Sequence, residues 1–239
     1  MMKLSGLSMV AVALASMAAL QACDNGADNG SGDIAIQDPV TPFPADPGAN
    51  SGDATKACTP PRGDVFSFVT LGTGSWGSWQ ACYTYCPAGS YAYSAVLRSE
   101  VGQGAADDSA LNGIQFNCYD KVSGAYMGFV RSHAGFWGSW GTTATSNPYV
   151  VSNPFVGGQM KIEAPQGVDD DTAANTAQLK AMNGMWSSPS ANTGWGSWQA
   201  AQSCPAGQAI CGVNTRVEGQ QGIGDDTALN GIALACCSF

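Results

Sequence analysis

Two short patterns recur three times along this chain at nearly constant spacing, and any fold must accommodate that repetition before other features are considered. The first is a tryptophan doublet: Gly-Ser-Trp76-Gly-Ser-Trp79, then Gly-Phe-Trp137-Gly-Ser-Trp140, then Gly-Trp195-Gly-Ser-Trp198. The second is a glycine-flanked acidic pair, Asp107-Asp108, Asp170-Asp171 and Asp225-Asp226, each followed by Ser/Thr-Ala and then Asn112, Asn175 or Asn230. Successive doublets are 140 − 79 = 61 and 198 − 140 = 58 residues apart. Three units of that length read as one repeat-built domain rather than three domains.

Charge bounds the partners. A net charge of −9 with no basic cluster excludes nucleic acid, because nothing is available to neutralise phosphates. Residues 1–22 carry one lysine, Lys3, ahead of an apolar, alanine-rich run too short to span a bilayer, and read as a signal peptide. The run ends Leu-Gln-Ala-Cys23, which resembles the lipidation site of a bacterial lipoprotein signal, so Cys23 is the expected lipidated first residue and the lipid the only expected contact with a membrane. Residues 23–57 are dominated by Asp, Asn, Gly, Pro and Ser, with six acidic side chains against Lys56, and read as a flexible acidic stalk. The expected location is the cell envelope or surface, and residues 58–239 form the expected folded domain.

Within that domain, Tyr91–Glu100 and Ala209–Glu218 alternate with period two, as half-buried strands do. Arg98 with Glu100, Lys161 with Glu163 and Arg216 with Glu218 are each two apart and share a strand face, which reads as a solvated face carrying cross-strand ion pairs. Apart from Cys23, eight cysteines remain, an even number in an exported chain, which implies four disulfides.

The repeat narrows their pairing. Cys86 and Cys204 both precede Pro-Ala-Gly, Cys118 and Cys236 both follow Asn-Gly-Ile, and both intervals are 32 residues. The second unit lacks both members, with Ala181 at the later position, as expected if the two bond to each other: Cys86 with Cys118, and Cys204 with Cys236. Cys236 and Cys237 are strand neighbours pointing to opposite faces, which sends Cys237 to Cys211 and leaves Cys58 with Cys82. No cysteine or histidine spacing fits zinc, and neither a metal nor a cofactor is expected.

The acidic pairs admit three uses: fixing their own turns, accepting sugar hydroxyls or a cation, or acting as the paired carboxylates of a glycosidase. Catalysis needs an acid and a base set apart by environment, whereas here one pair recurs three times, so no catalytic residue is assigned and a carbohydrate-active enzyme is the alternative reading. Trp76, Trp137 and Trp195 lie three residues before Trp79, Trp140 and Trp198, so on a regular strand one ring of each doublet enters the core and the other faces out, available to stack on a sugar. His133, the lone histidine, lies outside the repeated positions and no serine has a visible base, which leaves nucleophilic catalysis without support. Periodicity alone also admits a β-trefoil, whose repeats are usually shorter.

Taken together, Trp-Gly-Ser-Trp198, Cys204-Pro-Ala-Gly, Arg216-Val-Glu, Gln-Gly-Ile-Gly-Asp225-Asp226-Thr-Ala-Leu-Asn230-Gly-Ile and the closing Cys236-Cys237 resemble the vitelline membrane outer layer protein I family, over roughly Val65 to Phe239. The resemblance implies an all-β β-prism: three Greek-key sheets of four strands around a packed core, related by a pseudo-threefold axis and similar to jacalin-like plant lectins. The namesake is a structural component of an egg coat. A lipoprotein-like leader, a second unit without its disulfide and an added Cys58–Cys82 pair set this chain apart. The expectation is a surface-anchored, non-catalytic protein that binds a glycan or polysaccharide, or packs into an extracellular layer.

Overall fold

The computed structural model describes residues 36, 58, 60–102, 109–166, 172–191, 193–220 and 227–239. The expected signal segment, Cys23 and nearly all of the expected stalk lie outside the described residues.

Fifteen strands among the described residues make three antiparallel sheets of the same plan. Sheet A holds β4 (Ser90–Ser99), β5 (Leu111–Asp120) and β6 (Tyr126–Arg131), with β7 (Ser139–Trp140) and β8 (Ala144–Thr145) along the far side of β4. Sheet B repeats this with β9 (Phe155–Ile162), β10 (Ala174–Ala181), β11 (Trp186–Ser187), β12 (Ser197–Trp198) and β13 (Gln202–Ser203). In sheet C, β14 (Gln208–Val217) and β15 (Leu229–Ser238) are completed by the first strands of the domain: β1 (Val65–Thr73) on β15, and β2 (Ser78–Trp79) with β3 (Thr84–Tyr85) on β14.

Counting each broken outer strand as one, the spatial order is fourth, first, second, third, the Greek key, in all three sheets. The sequence unit and the structural unit are therefore offset. Each tryptophan doublet forms the fourth strand of the sheet before it, and the first doublet belongs to the last sheet.

The inner faces meet in one core, with Leu97, Ile114 and Phe116 from sheet A, Phe155, Met160 and Leu179 from sheet B, and Leu71, Ile210 and Leu234 from sheet C. This is a β-prism, stapled by Cys86–Cys118 and Cys204–Cys236 at the edge of the same core. Each of these bonds ties the segment leaving one sheet to the second strand of the next. Cys211–Cys237 and Cys58–Cys82 complete the expected four bonds. Cys236 lies in the core and Cys237 in a second apolar cluster, as opposite faces of one strand require.

Half-burial holds only in part. β9 and β10 alternate between buried and partly exposed, but β4 and nearly all of β14, where the period-two pattern was clearest, are buried on both faces. The second cluster explains this. Tyr91, Tyr93, Tyr119, Ala209 and the Cys211–Cys237 bridge form it together with Tyr85, Tyr149 and Val151. Tyr93 donates to Val151 O at 2.5 Å, and Tyr119 meets Tyr149 edge-on at 5.5 Å. Ile36 is buried in the same cluster and donates to Tyr149 O at 3.0 Å, so one residue of the expected stalk packs on the domain.

Candidate functional site

Every sheet carries the same station where its first strand ends. Trp79 stands opposite Arg216, Trp140 opposite Arg98 and Trp198 opposite Lys161; the next residue across is Gly231, Gly113 or Thr176. The glycine inside each doublet shapes the loop. Gly77, Gly138 and Gly196 have φ of 72°, 78° and 75°, and a Cβ on any of them would stand 2.3–2.5 Å from the backbone carbonyl carbon and oxygen of Val217, Ser99 or Ile162. Only glycine fits there.

That left-handed step breaks the alternation of a regular strand, so the expectation of one core-facing ring per doublet fails: none of the six rings is in the core. Trp79, Trp195 and Trp198 are exposed and Trp76, Trp137 and Trp140 half-buried. Trp79 and Trp140 instead lie over glycine, since a Cβ on Gly231 or Gly113 would touch the indole edge at 3.1 or 3.5 Å.

The arginines hold the loops, and Arg98 does not lie on a solvated face. Arg98 is buried and donates to the carbonyls of Gly135, Phe136 and Gly138 at 3.1–3.3 Å; Arg216 donates to those of Gly74, Ser75 and Gly77 at 2.7–3.2 Å. Lys161 reaches one carbonyl, that of Gly194. A point cation cannot reproduce the guanidinium fork.

Behind each loop runs a second repeated network that the sequence reading did not pick out. Ser109, Thr172 and Thr227 donate to Glu100, Glu163 and Glu218, and Asn112, Asn175 and Asn230 donate to those hydroxyls at 2.6–2.8 Å. The alanine between hydroxyl and amide is left-handed each time, with φ of 44°, 49° and 44° at Ala110, Ala173 and Ala228. A strained non-glycine conformation repeated threefold is held in place by its surroundings, here by the amide on one side and the carboxylate on the other. The signal was available, since the carboxylate, hydroxyl and asparagine keep intervals of nine and three residues in all three units.

The asparagine carbonyl shows where the stations differ. Asn112 and Asn230 accept the backbone N–H of Trp137 and Trp76, both at 3.1 Å. Gly135 and Gly74 make that approach possible, because a Cβ there would lie 2.3 and 2.6 Å from the amide oxygen. Sheet B has Thr193 at this position, and Asn175 Oδ1, fully buried, has no partner among the described residues. Station A is the most closed: Arg131 stands over both Phe129 and Trp140, 4.8 Å from each ring, and the indole N–H of Trp140 is buried without a partner among the described residues.

Asp107, Asp108, Asp170, Asp171, Asp225 and Asp226 lie outside the described residues. Their described flanks bind the strand ends at the stations: Glu100 N donates to Ala110 O, Glu163 N to Ala173 O and Glu218 N to Ala228 O at 2.7–2.8 Å. The described flanks of the first two acidic segments thus stand beside the doublet that follows them in sequence, and those of the third beside Trp76 and Trp79. His133 is half-buried, its imidazole pKa lowered by desolvation, and its carbonyl accepts from Thr215.

Comparison with known proteins locates these features. The family model of vitelline membrane outer layer protein I (VOMI) matches residues 67–239. The human vitelline membrane outer layer protein 1 homolog is 37% identical over 177 residues, covering 71% of this chain and 81% of that protein; the mouse homolog is 35% identical over 175 residues, covering 71% and 82%. Among solved structures, a mannose-binding jacalin-related lectin of Ananas comosus is similar with a TM-score of 0.44 and 11% identity, covering 72% of this chain and 98% of the lectin.

Proposed function

The chain belongs to the vitelline membrane outer layer protein I family, and from that premise we propose that it is an exported, non-catalytic protein whose β-prism holds polysaccharide on its tryptophan stations. One observation carries this reading. The left-handed glycine turns the doublets away from the core onto the outside of the sheets, where three of the six indoles are exposed beside the flanks of the acidic segments. Stacking of a pyranose on the rings and acceptance of its hydroxyls by Asp107, Asp108, Asp170, Asp171, Asp225 and Asp226 would combine apolar and polar recognition, as small-molecule sites do.

The purified domain is expected to be retained on insoluble chitin or peptidoglycan, without turnover of the polymer. Failure to bind either would refute the reading, and hydrolysis abolished by one Asp→Asn change would replace it with an enzyme. The anchor belongs to the same proposal: residues 1–22 as signal, an acylated Cys23 and residues 23–57 as tether to the domain from 58 to 239, supported by the Leu-Gln-Ala-Cys23 junction. The mass of the membrane-extracted chain tests it, and unchanged membrane retention of Cys23→Ala would refute it.

A further inference from the structure

We propose that the three stations are not equivalent and that station B alone is the open ligand site, taking a pyranose unit of a polysaccharide, with stations A and C serving as structural locks. This rests on the glycan reading and narrows it to one site per domain.

The locks are visible in the hydrogen bonds. In A and C the guanidinium spends three donors on loop carbonyls, and the asparagine oxygen accepts the N–H of the first tryptophan. The loop is fastened down, and in A Arg131 also covers the second ring.

Station B departs at each fastening. Lys161 replaces the arginine and reaches one carbonyl. Thr193 stands where Gly74 and Gly135 admit the close approach, and Asn175 Oδ1 has no partner among the described residues. Thr176 replaces the glycine that Trp79 and Trp140 cover. The result is a station with both rings exposed, Trp195 at 47% and Trp198 at 41%, where C exposes only Trp79 and A neither.

These changes create the elements of a sugar site together. Two indoles offer stacking faces. Lys161 keeps donors unspent on the loop, and the orphaned amide oxygen offers an acceptor if the loosened loop yields. A buried acceptor without a partner is costly in a station that stays closed, so a ligand hydroxyl that reaches it gains that interaction without displacing another.

The test compares binding of wild type and variants to insoluble chitin and to peptidoglycan. Trp195→Ala and Trp198→Ala, both at exposed positions, should each weaken binding by about tenfold or more, while Trp79→Ala and Trp137→Ala change it by less than about twofold. The pair Thr193→Gly with Lys161→Arg, which rebuilds the lock, should abolish retention with an unchanged or higher melting temperature. Equal losses at all three stations would leave the glycan reading intact and overturn the single-site inference. Full binding by the rebuilt lock would show that Thr193 and Lys161 merely loosen the loop, and would overturn it too. If wild type binds neither polymer, both proposals fall.

Discussion

Joint replacement of Ser146 and Ala181 by cysteine is expected to create a fifth disulfide and close the one sheet boundary that lacks a staple. Cys86 and Cys204 each follow a broken fourth strand, and their N–H groups donate back to that sheet's first strand, to Cys211 O at 2.8 Å and Val156 O at 2.7 Å. Ser146 follows β8 in the same way and donates to Tyr93 O at 2.8 Å. Ala181 is the sixth residue after Asn175, as Cys118 and Cys236 are after Asn112 and Asn230. Both positions are buried, and the two existing bonds of this type hold their Cα atoms 5.7 Å apart.

The new bond would enclose 181 − 146 = 35 residues. Loop-closure entropy then gives about 4 kcal/mol at 25 °C. For a domain of this size that is a rise in melting temperature of about 8–16 °C. Ser146→Ala serves as control, since the serine hydroxyl is buried without a partner and its loss alone should stabilise by about 1 kcal/mol. Thiol titration of the denatured, unreduced variant and calorimetry decide the matter. Two free thiols would show that these positions are not the counterparts of the natural pairs, and a formed bond with an unchanged transition would refute the entropic argument.

Two backbone changes should have opposite effects in chemical denaturation: Gly138→Ala should cost about 2–4 kcal/mol, combining a left-handed alanine with a clash against the Ser99 carbonyl. Ala228→Gly should be neutral or stabilising, because it relieves a left-handed alanine, and a marked loss there would refute the strain assignment. On acidification, His133 should act first: burial holds its pKa below the usual 6.5, so the folded state binds fewer protons, and stability falls as pH drops below that value, a slope that His133→Gln should remove. Asp64, held low by its bidentate hydrogen bonds from Arg62, and Asp120, held low by the Ser123 N–H and hydroxyl, contribute stability that is present above about pH 4 and lost below it; a flat profile from pH 7 to 3 would contradict all three.

Much of the architecture was legible because it repeats. Cysteines that appear or vanish in pairs gave the bonding pattern, and the combination of motifs pointed to the prism. Adjacency in space was harder to read. A doublet preceding Tyr91 in sequence looks like part of that strand's sheet, yet Trp79 pairs with Arg216 because the sheets are permuted around the chain ends. Alternation misled where a strand has two covered faces, since Tyr91 packs edge-on against Phe239 and Tyr93 donates to Val151 O, both buried rather than meeting solvent. The tryptophan directions depended on the φ of Gly77, Gly138 and Gly196, which no hydrophobic period encodes. Arg98 and Arg216 looked like surface charges because spacing marks a shared face, not the carbonyls that curl over it.

Sheet C joins strands from opposite ends of the described chain, with Val65 beside Cys237 and Thr73 beside Gly231. A ribosome makes β1 first and its partner last. At roughly 5–20 residues per second, the 229 − 73 = 156 residues between them take about 8–30 s, during which β1 has no neighbour to satisfy its backbone. Sheets A and B come from uninterrupted stretches and can assemble as they emerge, so the prism closes only after β15 has emerged. Until then β1 is a nine-residue strand carrying Phe66 and Phe68, both still exposed in the finished fold, and such an edge invites pairing with other chains. Nascent chains halted before Leu229 should therefore be the species that chaperones retain, and pulse-labelled crosslinking that found full-length chains retained equally would argue against this order of assembly.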